Sequence, residues 1–172
     1  MNNTNPLENT LDQAIRATDL RQLGVKYGER TVETVASLAY DHQAGQVTGV
    51  HLQSASGVQR QVAFESLDLS RMPQGELRLE PPVLSGNLSA PQPIDTLTVL
   101  LPSGQTAYVQ DSFFHPHTGQ ILAYEISLEQ PGRGGDKVRV MPDEVKLTLQ
   151  GEPWQVNDSV EARLRSAQGF GA

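Results

Sequence analysis

Asp111, His115 and His117 are the residues of this chain whose types and spacing could hold a metal ion. Two histidines separated by one residue on a strand point to the same side, and a carboxylate with two imidazoles can bind a divalent cation. A metal-dependent enzyme is the activity such a trio would support. The same stretch also suits a polar turn, because His115–Gly119 separates two strand-like runs and holds Pro116 between its histidines. The turn is the simpler reading, and neither a metal nor another cofactor is expected. His42 and His51 would add ligands only if folding brought them near.

Other chemistry is thinner. Gly132-Arg133-Gly134-Gly135-Asp136 is glycine-rich, yet it lacks the lysine and serine of a phosphate-binding loop and no helix pattern follows it, so a hairpin tip is expected. No nucleophile elbow of the G-x-S-x-G type occurs. The chain has no cysteine, which removes thiol nucleophiles, disulfides and thiolate metal sites. Asp143-Glu144 reads as a solvated turn against an acid/base pair. Trp154 is the single tryptophan. It either seals a core edge or stands exposed as a partner-binding anchor. No residue is assigned a catalytic role, and a non-enzymatic chain is expected.

The elements that must position these residues are strands. The 172 residues suit one compact domain or two very small ones. Aromatics are only 5% of the chain, so valine, leucine, isoleucine and alanine must build the core. The net charge of −7 is spread along the sequence, which opposes direct binding to nucleic-acid phosphates or to an anionic membrane surface. No apolar run reaches the length of a membrane span. The first twenty residues lack the basic and apolar regions of a secretory signal, and with no cysteine a cytoplasmic location is expected.

Leu7, Leu11 and Ile15 share one helical stripe, which predicts a short helix over about 9–16 at the end of a polar tail. Strands are then expected at Thr31–Tyr40, Val47–Gln53, Arg60–Phe64 and around Leu77–Leu79. Residues 81–93, PPVLSGNLSAPQP, have the composition of a linker. Beyond it, strands are expected at Leu97–Leu101, Thr106–Phe114, Gln120–Leu128, Lys137–Met141 and Val145–Leu149. Asp158 with Glu161 predicts a short helix through Arg165, followed by a flexible tail.

The two halves match. Gly45-Gln46 and Gly119-Gln120 stand 74 residues apart, and at that offset Tyr40 meets Phe114, Val47 meets Ile121, Gly49 meets Ala123 and Leu52 meets Ile126. Allowing a second loop two residues longer, Val62-Ala63-Phe64 meets Val138-Arg139-Val140. An internal duplication of one strand-rich unit is expected, its two copies packing together.

Arg16-Ala17-Thr18-Asp19-Leu20, Gly28, Leu38, Tyr40-Asp41, Ala44-Gly45-Gln46-Val47 and Gly49-Val50 resemble the opening of a PRC-barrel domain, the family named from the photosynthetic reaction-centre H subunit and similar to the closing barrel of the ribosome maturation factor RimM. Val138–Val145 is similar to that family's closing element, whereas Phe64–Leu67 departs from it in having no proline. The resemblance implies an all-β chain of two tandem small PRC-barrel-like barrels with short terminal helices: repeat 1 over 18–80 and repeat 2 over 94–150, with 1–17 and 151–172 as flanks. It also implies a role in docking or assembling other proteins, with no shared catalytic residues. The groove between lobes and the terminal helices are the expected docking surface. A homo-dimer through an exposed edge strand is open, and a ribosome or RNA maturation role follows only by analogy with RimM.

Overall fold

A computed structural model describes residues 13–21, 23–27, 30–80, 94–133, 135–149 and 151–167. The fold is all-β, made of two barrel-like lobes that separate into two compact units. One is Met1–Pro93 with Phe114–Gln120, and the other is Ile94–Phe113 with Ile121–Ala172.

In the first unit, β1 (Ile15–Arg16) and the short helix α1 (Ala17–Leu20) lead into β2 (Gly24–Tyr27), β3 (Arg30–Asp41), β4 (Gln46–Ser54) and β5 (Gln59–Ala63). A 3₁₀ turn at Phe64–Ser66, β6 (Leu67–Asp68), a second 3₁₀ turn at Met72–Gln74 and β7 (Glu76–Leu79) follow. The curled sheet has the order β5-β4-β3-β2-β7-β6. Its neighbours are antiparallel except β2 and β7, which run parallel.

Apolar residues at alternate positions meet across the strands: Val35 opposite Leu52, Leu38 opposite Val50, Val50 opposite Val62, and Val25 opposite Leu77. All are buried. Val35 and Leu38 are three apart, a spacing that a regular strand sends to opposite faces. A bulge between Val35 and Ser37 adds the residue that returns Leu38 to the core face.

In the second unit, β8 (Thr98–Leu100), β9 (Thr106–Phe114), β10 (Ile121–Ser127) and β11 (Lys137–Val140) precede a 3₁₀ turn at Pro142–Glu144. Then come β12 (Val145–Lys146), β13 (Trp154–Val156) and helix α2 (Asp158–Ala167). The sheet order is β11-β10-β9-β8-β13-β12. Position for position this repeats the first sheet, including the parallel pair, here β8 with β13, and the 3₁₀ turn before the short strand.

The register moves one equivalence. Val62 lies opposite Val50, and Val140 lies opposite Tyr124, the residue 74 positions beyond Val50. Val140, and not Val138, therefore stands where Val62 does, and the second hairpin loop has gained four residues instead of two.

Several expectations shift at their edges. Ile15–Arg16 is extended, and the helix near the N-terminus begins at Ala17. Of the helix expected over 9–16, residues 13 and 14 are a turn and irregular chain, and 9–12 lie outside the described residues, as do the 81–93 linker and the tail from 169. The strand expected over Val145–Leu149 stops at Lys146. α2 is capped by Asn157, whose Oδ1 accepts the Val160 N–H at 3.1 Å, one residue before the expected cap. Among the described residues, no helix is long and apolar enough to cross a membrane.

Candidate functional site

The His115–Gly119 segment folds as a turn, and His115 holds it. Its Nδ1 accepts the backbone N–H groups of His117 at 3.1 Å and Thr118 at 3.3 Å. Nδ1 acting as acceptor assigns the ring proton to Nε2. The equivalent turn between β3 and β4 is held the same way, with Asp41 Oδ1 accepting the Ala44 N–H at 3.0 Å. His115 and Asp41 thus occupy one structural role, capping a turn that Gly45 (φ 68°) and Gly119 (φ 74°) close.

The three candidate metal ligands do other things. Asp111 is buried on β9, where its Oδ1 accepts the Ser112 N–H at 2.9 Å. The rings of His115 and His117 sit 5.7 Å apart, and His117 is exposed. No group of three histidine, aspartate or glutamate side chains able to hold a metal comes together among the described residues.

Trp154 is 6% exposed and meets Tyr124 edge-on, with ring centroids 5.1 Å apart. It is buried on β13 against the second core, the first of the two readings its sequence position offered. Asp143-Glu144 forms the 3₁₀ turn. Glu144 accepts the Met141 N–H at 3.0 Å and pairs with Arg163 of α2 at 2.7 Å. Burial alone would raise its carboxyl, but the Met141 N–H and the Arg163 guanidinium outweigh it and hold it below the ordinary range. Pro131–Arg133 is a turn leading to strand β11, the hairpin tip expected there.

Two features were not found from sequence. The first is a polar row across three strands of the first sheet. Ser37 lies opposite His51, and His51 opposite Gln61. All three are buried, and Ser37 Oγ and Gln61 Oε1 have no hydrogen-bond partner among the described residues. Burial pushes the His51 imidazole below its usual range.

The second is a cleft of about 530 Å³ within the first unit. Ile15, Phe64, Leu67 and Leu69 give it an apolar lining. Phe64 is braced from behind by Phe114, edge-on at 6.0 Å. Pro116, His117 and Thr118 form one wall. That wall is held because Gly119 can approach β4 closely: its carbonyl accepts the Val47 N–H at 2.8 Å. Glu65, Asp68 and Glu80 supply the carboxylates. The Ser70 hydroxyl and N–H hold Asp68 below the ordinary carboxylate range, with Arg78 and Arg71 adding to the effect. Nothing in the local sequence marks this cleft, whose lining comes from segments far apart in the chain.

No protein-family model matches the chain, and no curated protein matches it.

Proposed function

We propose that this chain is a non-enzymatic protein-binding module of the assembly type, built from two PRC-barrel-like lobes that arose by duplication. The observation that carries the reading is the repeated sheet: six strands in the same order, with one parallel pair in the same place. The positions the two halves share serve turns and cores. Gly45 and Gly119 close hairpins, while Leu52 and Ile126 are buried. The residues with chemical potential are engaged structurally: His115 caps a turn, and Glu144 ties down α2. What the first lobe offers to solvent is a shaped, partly apolar cleft, a feature that suits recognition. The acidity of the chain directs the proposal toward protein partners and away from nucleic acid. The lack of cysteine suits a reducing compartment.

The test is photo-crosslinking in the source cells from benzoylphenylalanine placed singly at exposed Gln53, Ser70, Thr118 and Leu149. A discrete adduct with one other protein, competed away by the unmodified chain, is the expected outcome. Free chain from every position would overturn the proposal.

A further inference from the structure

Resting on that reading, the geometry points to the cleft of the first unit as the seat of a short cationic segment of a partner protein, one that sets arginine or lysine beside apolar anchors. The volume of about 530 Å³ is in the range of recognition pockets, roughly 300–1,000 Å³. Four apolar side chains line it, so an occupant gains by burying its own apolar surface.

Charge selects among such occupants. Glu65 and Glu80 are exposed at the cleft, and among the described residues neither makes an ion pair. Arg71 and Arg78 partly offset Asp68, so the uncompensated negative charge rests on the two glutamates. An acidic segment would be repelled here and a neutral one would leave the carboxylates unused.

The second unit contains a working instance of this chemistry. Its corresponding 3₁₀ turn, Pro142–Glu144, is met by α2, which buries Val160 and Leu164 and brings Arg163 to Glu144 at 2.7 Å. Glu144 stands one position beyond Asp143, the counterpart of Glu65. An arginine beside apolar anchors is thus how this fold already satisfies an acidic turn of this type.

The test is titration of the isotope-labelled full chain with a short peptide alternating arginine and leucine, alongside versions with glutamine or glutamate in place of arginine. The expected result is that the arginine peptide moves the amide signals of Phe64, Leu67, Leu69 and Thr118. Replacing both Glu65→Gln and Glu80→Gln should weaken it by about tenfold. Ser70→Lys, which sets a cation in the cleft's lining and removes the hydroxyl contact to Asp68, should weaken it similarly. Equal binding of the three peptides, signals moving elsewhere, or no binding would each overturn the assignment. The crosslinking arms separate the two ideas: a partner adduct from Gln53 or Leu149 but not from Ser70 or Thr118 retains the assembly reading and removes the cleft.

Discussion

Gly119 does two jobs that its counterpart Gly45 does not share. Both adopt positive φ, where a side chain is strained by about 1 kcal/mol or more. A Cβ at Gly45 meets open space, whereas at Gly119 it would lie 2.8 Å from the Val47 carbonyl oxygen and 3.3 Å from the Phe64 ring. Gly45→Ala should therefore cost about 1 kcal/mol, and Gly119→Ala about 2–3 kcal/mol, in denaturant melts. Equal losses would mean that the close approach to β4 is not formed.

His42 adds a pH dependence. Stacked on Tyr40 at 4.8 Å, it is pushed by burial down to about 4 from 6.5, against the upward pull of Asp41. The unfolded chain then binds the extra proton between those two values, so stability falls as pH drops through that window and levels off below it. The buried His51 acts in the same direction. His42→Gln should flatten the melting temperature between pH 6.5 and 4 relative to the parent chain.

Among the elements, α2 adds polar contacts to the burial of Val160 and Leu164. Glu161 accepts the Ser103 N–H at 2.9 Å, Arg163 pairs with Glu144, and Asn157 caps the first turn. The Ser103 N–H lowers the Glu161 carboxyl, and Glu144 is lowered as well. A depressed carboxylate contributes stability that is present above its unfolded value, near 4.5, and is lost as pH falls through the folded one. α2 should thus loosen in acid before the sheet does, visible as faster amide exchange confined to 158–167. Asn157→Ala should cost about 1 kcal/mol at neutral pH and speed the same amides.

At the scale of the molecule, neither unit is a continuous stretch of chain. The first unit recruits Phe114–Gln120, which supplies Phe114 behind Phe64 and the Gly119 carbonyl for Val47. A fragment ending at Pro93 lacks both. Its Val47 amide should exchange much faster than in the full chain, and its melting temperature should fall. A fragment with the full chain's protection at Val47 would show that the first unit is complete without this turn.

The sequence by itself determined the local and repeating features: strands at alternating apolar positions, hairpins at Gly45 and Gly119, and an all-β chain in two lobes. These are decided by periodicity and turn chemistry, which act over a few residues. It left two readings open where the placement of a partner group had to choose between them. Trp154 could seal or protrude, and Tyr124 and the parallel pairing with β8 settled that it seals. His115 could bind metal or cap a turn, and the N–H groups of His117 and Thr118 settled that it caps. The four-residue growth of the second loop was readable only from the register of β10 with β11. The cleft lay beyond the sequence altogether. Its floor comes from residues 15 and 64–69 and its wall from 116–118, and only folding places segments so far apart in the chain against one another.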